Sequence, residues 1–274
     1  MKKFLTMVVI PAAALLAAVP SPARAGLVNG SFDQYTGGYN GYTSQIGNTI
    51  KNTDGSSNGY TALTGWTVGN GTYGFLMAPG QADTTGAYSP QFGSTFKLWG
   101  SNDSNPATDK GVATLPATSP DGGHYLVLDG ASNYRGTGIF QTLSGLTVGQ
   151  QYAVSFYWAS GQQYGYDGAT DEWLQVNFGS SLNSYQSQST AHASNVSHGF
   201  TNWAKQTFVF TADATSDTLN FLAMSNSGGL PPLVLLDGVT FNAVPEPASL
   251  AMVGLGLGGV ALARRVRRGK NLQA

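Results

Sequence analysis

No cysteine occurs among the 274 residues. Disulfide staples and cysteine nucleophiles are therefore excluded, and stability has to come from packing or from a bound metal ion. Histidine is limited to three residues. His192 and His198 have a spacing that fits no common zinc signature, and His124 begins a predicted strand. A transition-metal centre is therefore not expected.

Charge is scarce as well, at 10% of the residues, and it is unevenly placed. Eight of the 13 Lys and Arg residues lie outside residues 26–243, whereas 13 of the 14 acids lie within them. With five cations and 13 acids, this middle segment has a formal charge of −8. Such a segment does not attract nucleic acid or an anionic lipid surface, so we expect no nucleic-acid partner.

Glutamate is nearly absent from the middle segment. Glu172 is its only member, and it directly follows Asp171. Glycoside hydrolysis requires two carboxyl groups that face each other across about 5–9 Å. Neighbours on a strand point to opposite faces, so these two cannot form such a pair, although another aspartate could partner either one. We therefore expect a non-catalytic protein. A secreted hydrolase is kept as the third possibility, after the two functions given at the end of this subsection.

The first 25 residues have the three parts of a secretory signal peptide. Lys2 and Lys3 precede an apolar run over residues 4–19, and Ala-x-Ala at residues 23–25 supplies a cleavage site. The alternative, a buried N-terminal helix, does not account for the adjacent lysines or the small residues. We expect a signal helix that is cleaved after Ala25.

A second apolar segment, residues 248–263, carries no charge and only one polar side chain, Ser249. The tail over 264–274 begins with a basic cluster: Arg264, Arg265, Arg267, Arg268 and Lys270. Sixteen helical residues span about 24 Å, a little less than the hydrocarbon core of a membrane, which is about 30 Å thick. Arginine side chains extend this length because they snorkel toward the interface. A buried core helix would leave these cations unexplained. We expect a transmembrane helix with its basic flank in the cytoplasm and residues 26–243 exported.

The sequence Val244-Pro245-Glu246-Pro247 directly precedes this helix. Together with the apolar helix and the arginine cluster, it resembles the PEP-CTERM sorting signal of Gram-negative bacteria over residues 244–274. The same tail is also known as an ice-binding protein C-terminal domain, although no Thr-x-Thr array suits an ice-binding face here. The resemblance implies cleavage by an exosortase, inner-membrane anchoring before cleavage, and a final place at the cell surface or in the extracellular matrix of a biofilm.

The middle segment alternates apolar and polar residues between Gly, Asn, Asp and Ser turns and has no helical period. Strands are predicted at residues 27–32, 65–68, 72–77, 124–128, 138–143, 151–159, 173–178, 204–211, 218–224 and 233–241. Residues 34–58 and 78–120 are interpreted as mainly loop. Many short strands without helices predict an all-β fold, an antiparallel β-sandwich of the jelly-roll type over residues 26–243.

Four segments carry a further resemblance: residues 29–33, 65–68, 138–152 and 235–241. In order and content they resemble the galactose-binding-like jelly roll of many carbohydrate-binding modules and of DUF642-type extracellular proteins. Jelly rolls of this type often hold a structural calcium ion between the first and last strands. Asp33 and Asp237 occupy the matching positions, and oxygen ligands suit calcium; the alternative is that both are ordinary turn acids.

The stretch 161–173 combines aromatic rings with polar side chains, as sugar-binding sites require. Tyr164, Tyr166, Asp167 and Asp171 are the candidate ligand-binding residues, and Tyr39, Tyr42 and Tyr60 could join them. The alternative is that these are core or turn aromatics. Trp66, Trp158 and Trp203 are expected in the core.

The sequence therefore predicts an exported, exosortase-sorted surface or matrix protein that interacts with exopolysaccharide. The alternative is a structural or adhesive biofilm protein that has no specific glycan site.

Overall fold

A computed structural model describes residues 26–37, 43–47, 60–79, 98–99, 118–130, 138–181, 185–226 and 231–245. The predicted signal helix, the apolar segment 248–263 and the basic tail lie outside these residues. Within the described part, no helix is long and apolar enough to cross a membrane.

The described residues form fourteen β-strands and no helix, which confirms the predicted all-β class. The strands are β1 (Tyr35–Gly37), β2 (Thr43–Gln45), β3 (Thr61–Leu63), β4 (Thr67–Val68), β5 (Gly74–Met77), β6 (Tyr125–Asp129), β7 (Ile139–Ser144), β8 (Gln151–Gln162), β9 (Thr170–Gly179), β10 (Gln186–Ser189), β11 (Ala193–Asn195), β12 (Ala204–Thr211), β13 (Ser216–Ser225) and β14 (Pro232–Ala243). Every predicted strand from 65–68 onward overlaps one of them.

Two antiparallel sheets form the sandwich, as predicted. Sheet 1 has the order β10-β9-β13-β7-β4, with β11 also paired to β9. Sheet 2 has the order β12-β8-β14-β6-β5-β2, and β1 and β3 form a separate pair. The longest strands, β8 and β14, pair in sheet 2 with a register shift between Asp237 and Thr240.

The main core lies between the sheets because alternate residues of each strand point inward. Phe156 of β8 and Phe221 of β13 meet edge to face across the two sheets, with 5.3 Å between ring centroids. Trp66 and Trp158 are buried in this core, as predicted.

A second apolar cluster covers the outer face of sheet 2. It is formed by Phe75, Met77, Leu98, Tyr125, Val127, Ala159, Leu233 and Leu235. Trp203 was expected in the core, but it is only partly buried and packs against this outer cluster, edge to face with Tyr125.

The predicted strand at 27–32 is wrong, because this segment is a turn. Asn29 and Phe32 both have a φ of 55°, and the Phe32 N–H donates to the Asn29 carbonyl over 3.3 Å. Gly30 lies so close to β14 that a Cβ atom would be 1.9 Å from the Val239 carbonyl oxygen. The chain therefore packs against β14 as a turn, with buried Phe32 as its anchor.

Two polar segments for which no strand was predicted contain strands. Residues 34–58 include β1 and β2, and the Ser/Gln-rich residues 185–195 form β10 and β11. Gln186 and Gln188 of β10 turn toward sheet 2, where their side-chain amides donate to the Thr211 and Val209 carbonyls of β12. These side chains thus bond backbone carbonyls of β12, the edge strand of sheet 2. Polar residues that serve such contacts do not show the apolar alternation by which strands are predicted. Most of residues 78–120 lie outside the described residues.

Candidate functional site

The predicted ligand loop is tied down by contacts of its own. The Trp99 ring stacks on His198 at 3.8 Å and lies 4.4 Å from the Tyr164 ring, and its indole N–H donates to the Tyr166 carbonyl over 2.8 Å. The Asp167 carboxylate lies 2.6 Å from His198 Nε2. Tyr164 is therefore half-buried against Trp99, whereas Tyr166 and Asp167 remain exposed.

Asp171 belongs to a different group. Its carboxylate contacts His192 Nδ1 at 3.0 Å and accepts hydrogen bonds from the Ser194 hydroxyl and the Asn226 side-chain amide. Partial desolvation opposes these contacts, but together they hold the pKa of Asp171 below its ordinary value. The carboxylates of Asp171 and Asp167 thus contact different histidines.

Trp173, two residues along β9, completes this group. Its ring stacks on that of His192, with centroids 4.0 Å apart and an angle of 10° between the planes. The His192 side chain is 49% exposed, and that of Asp171 is 27% exposed. The stacked rings and the carboxylate therefore lie together on the protein surface.

Polar side chains continue this surface along β9. Gln175 and Asn177 alternate with buried Leu174, Val176 and Phe178, so they share the outward side with Asp171 and Trp173. The Gln175 side-chain amide donates to the Asn177 side-chain oxygen over 3.0 Å. We call the outward surface formed by Asp171, Trp173, Gln175, Asn177, His192 and Ser194 the β9 face.

Strand β13 borders the β9 face on one side. Met224, Leu222 and Asn220 are paired with Trp173, Gln175 and Asn177, respectively. Met224 and Leu222 are half-buried, so the border combines apolar and amide surface.

Sequence reasoning missed most of this group. Asp171 is among the predicted site residues, but Trp173 is predicted only as the first residue of a strand, and His192 is considered only for its spacing from His198. Only the pairing of Ser194 with Asp171 in β11 and β9 places His192 beside Trp173. A stacked pair 19 residues apart has no local sequence signal.

Glu172 points the opposite way and is fully buried, which confirms the predicted opposite orientation of Asp171 and Glu172. Burial raises the pKa of Glu172 to about 7, with a smaller contribution from the Asp171 charge, while hydrogen bonds from neighbouring side chains oppose the rise. The sequence also contains, at residues 55–59, the Gly-x-Ser-x-Gly pattern that surrounds the serine nucleophile of α/β-hydrolases. These residues lie outside the described part of the chain.

The predicted calcium ligands lie near each other, beside a third acid. Asp237 is fully buried, and burial together with the nearby Asp121 and Asp33 carboxylates raises its pKa to about 7. The Ser119 hydroxyl and the Gly238 N–H lie near enough to lower this pKa. Neither reaches hydrogen-bond geometry, so both Asp237 carboxylate oxygens lack a partner.

Asp33 is held more loosely. Its side chain is 45% exposed and accepts from the His124 N–H, and it contacts His124 Nδ1, each over 2.8 Å. Gly123 lies against it, where a Cβ atom would be 2.5 Å from the carboxylate oxygens. Within the described residues, no three His, Cys, Asp or Glu side chains are arranged as a metal-binding group. The orphaned oxygens of Asp237 nevertheless fit a hard cation in donor chemistry.

Residues 243–268 match the family model of the PEP-CTERM protein-sorting motif. The predicted motif Val244–Pro247 and the arginines 264, 265, 267 and 268 all lie within the match, so the predicted sorting signal is confirmed. The motif indicates an exported protein that is anchored at its C-terminus until an exosortase cleaves it. The match covers only the tail, and no curated protein matches the chain.

Solved structures similar to the chain include carbohydrate-binding domains and also an α-L-arabinofuranosidase. The CBM22-1 xylan-binding domain of Paenibacillus barcinonensis Xyn10C is 14% identical, with 77% of this chain and 98% of that chain covered and a TM-score of 0.36. The N-terminal cellulose-binding domain of Cellulomonas fimi β-1,4-glucanase C is 13% identical, with 48% and 83% covered and a TM-score of 0.26. At such scores the similarity carries no argument about what this chain binds.

Proposed function

We propose that this chain is an exported, non-catalytic surface or matrix protein that binds a neutral extracellular polysaccharide on the β9 face. The observation that carries the proposal is the fixed group of Asp171, Trp173 and His192 on the surface of sheet 1. The proposed domain comprises residues 26–243, and residues 244–274 serve as its sorting signal.

The chemistry of the β9 face suits sugar rings. Stacked Trp173 and His192 offer apolar ring surface to sugar C–H groups, while the Asp171 carboxylate and the amides of Gln175 and Asn177 can bond hydroxyl groups. Ser194, His192 and Asn226 already orient Asp171, so little side-chain entropy is lost when a ligand binds.

Charge favours a neutral polymer over an acidic one. Lys205 is the only Lys or Arg within the described residues, against nine Asp and Glu residues there. A uronate or sulfated polymer would meet repulsion from this surface, whereas a neutral polysaccharide would not.

The orientation of the two neighbouring acids supports a non-catalytic role. Glu172 is enclosed in the sandwich, and Asp171 is held on the outside by three donors. They lie on opposite sides of one strand and cannot face each other across a substrate. After exosortase cleavage, we expect the protein at the cell surface or in the matrix of a Gram-negative bacterium.

Asp33 and Asp237 support a second proposal, a structural calcium ion with Asp121 as a further ligand. Calcium would supply positive charge beside Asp237, on which the Asp33 and Asp121 carboxylates act electrostatically. These residues would hold the middle of β14 near the N-terminal turn, which already contacts this strand through the hydrogen bond from the Val239 N–H to the Gly30 carbonyl over 2.9 Å.

Affinity electrophoresis of the full-length protein in detergent, through gels that contain soluble neutral or acidic polysaccharides, tests the proposed binding. Trp173→Ala and His192→Ala are each expected to raise the dissociation constant for a neutral polysaccharide, obtained from the retardation, about ten-fold. This is the effect of losing about 1.4 kcal/mol of binding free energy. Tyr166→Ala is the matched control, an exposed aromatic residue outside the β9 face, and should bind like the wild type.

Loss of binding in Tyr166→Ala or in the Tyr164→Ala, Tyr166→Ala double variant, with Trp173→Ala unaffected, would move the site to the 161–167 loop. Absence of retardation by every polysaccharide would favour the structural or adhesive alternative.

A further inference from the structure

The interior of the sandwich changes character where β8 ends and β9 begins. Inward residues of β8 are aromatic or aliphatic up to Trp158 and then polar, Ser160 and Gln162. On β9 the inward residues begin with Thr170 and Glu172 before the apolar series resumes at Leu174. This end of the interior is therefore a fully buried polar cluster that contains one carboxyl group.

The Glu172 carboxyl group is only partly satisfied. Its Oε1 atom accepts from the Asn195 side-chain amide over 2.7 Å and from the Thr170 hydroxyl over 3.3 Å. Its Oε2 atom is buried and makes no hydrogen bond, although the Ser160 hydroxyl lies near enough to influence the carboxyl pKa. A neutral carboxyl group fits this cluster, whereas an ionised one would be a buried charge without a counter-ion.

Strand β11 connects Glu172 to the β9 face. Its inward residue Asn195 donates to Glu172 and, over 2.9 Å, to the Ser160 hydroxyl. Its outward residue Ser194 and the preceding His192 bind Asp171. The same three-residue strand thus has the interior carboxyl group on one side and the proposed binding group on the other.

Strand β11 is also the most weakly paired of the strands around Glu172. Among the described residues it pairs only with β9, over three residues, whereas β9 is paired along its length with β13. The following loop is attached through Thr201, which bonds the Ser160 hydroxyl over 3.0 Å, and through the His198 N–H, which donates to Gln162. Water that hydrates an ionised Glu172 would enter most readily by displacing β11.

The titratable groups around Glu172 do not offset its charge. Asp171, its neighbour on β9, faces outward and carries the same sign. His192 on the β11 side is engaged with Asp171, and His198 in the next loop is engaged with Asp167. The facing residues of β8, β11 and β13 are Ser160, Asn195 and Ser225, which do not titrate.

We propose that Glu172 is an internal pH switch that couples the seating of β11 to ligand binding on the β9 face. When Glu172 is protonated, β11 is seated, and His192 and Ser194 hold Asp171. When Glu172 ionises, β11 loosens and the binding group is dispersed. The inference rests on the proposed function for its ligand, but the movement of β11 can be measured without one.

Hydrogen exchange of the amides of residues 193–195 in the full-length protein tests the switch, expressed as protection factors that correct for the intrinsic effect of pH. The wild type is expected to lose protection about ten-fold between pH 6 and pH 8. Because only the seated fraction binds, its affinity for a neutral polysaccharide should fall in proportion to the seated fraction that these protection factors give. Glu172→Gln, a neutral isostere, should show neither dependence.

Asp217→Asn is the matched control, since Asp217 is another buried acid on the inward side of sheet 1. It should keep the pH dependence of β11. Constant wild-type protection at residues 193–195 from pH 6 to pH 8 would overturn the switch, as would loss of the dependence in Asp217→Asn. A pH-dependent β11 in a protein that binds no polysaccharide would support the switch and overturn the proposed function.

Discussion

The free energy of unfolding is expected to fall by about 5 kcal/mol as the pH rises from 4.5 to 8 in the presence of a chelator. Burial raises the pKa of Glu172 from 4.5 to about 7 and that of Asp237 from 3.8 to about 7. At 1.36 kcal/mol for each pH unit, these two groups correspond to roughly 3 and 4 kcal/mol, and partial hydration of the site reduces their sum. Such a loss is a large part of the stability of an ordinary domain.

The direction follows from proton binding. Between pH 4.5 and 7 the folded state holds protons that the unfolded state has released, so stability declines as the pH rises. The contribution is fully present below the unfolded pKa values and is lost once the pH passes the folded ones. Asp129 and Asp217, with pKa values raised to about 6, mainly by burial, act in the same direction.

Urea denaturation at a series of pH values measures the effect. Glu172→Gln should flatten the curve by about 3 kcal/mol. Asp171→Asn should not flatten it, because the pKa of Asp171 is lowered and its contribution changes only in more acidic solution. A free energy of unfolding that is highest at pH 8 would contradict the expected decline of stability with rising pH.

Calcium at millimolar concentration is expected to raise the free energy of unfolding at pH 8 by about 3 kcal/mol, the gain for a ligand at about a hundred times its dissociation constant. The reason is that Asp237 is buried, ionised at this pH, and without hydrogen bonds at either oxygen. The effect should be small at pH 5, where protons compete with the metal for the same carboxylate.

Thermal unfolding with calcium or with chelator tests this expectation. Asp237→Asn should abolish the calcium effect and, because it removes the buried charge, should stabilise the chelated protein at pH 8. Asp167→Asn, at an exposed acid of another loop, should leave the calcium effect intact. An equal response to calcium in the wild type and in Asp237→Asn would show that the ion binds elsewhere.

The sandwich could be predicted from the sequence because strands such as β8 and β9 carry large apolar residues at every second position, as Val154, Phe156 and Trp158 do in β8 and Leu174, Val176 and Phe178 do in β9. The first predicted strand failed for a physical reason: residues 27–32 are apolar enough to anchor a turn, and positive φ angles at Asn29 and Phe32 have no apolar signature. Strands β10 and β11 were missed because their stability comes from pairing with β9, not from their own composition.

The sorting signal could be predicted in full because its chemistry is contiguous in the chain. The binding group could be predicted only in part. Asp171 was found by composition, but its partners His192, Ser194 and Asn226 lie 21 to 55 residues away. The hydrogen bond between Asn195 and Glu172 could not be predicted for the same reason, since the two residues are 23 positions apart in the sequence. Such contacts are made by strand register, and register is not written in local composition.

Nuclear magnetic resonance of the tryptophan indole N–H groups tests most directly whether the β9 face binds polysaccharide. The full-length protein would be titrated in detergent at pH 6 with a neutral oligosaccharide fragment of a polysaccharide that retards it, and Trp173→Phe would assign the Trp173 signal. We expect that signal to shift with ligand while the signal of buried Trp66 stays in place. A shift confined to Trp99, or no shift at Trp173 at saturating ligand, would contradict binding at the β9 face.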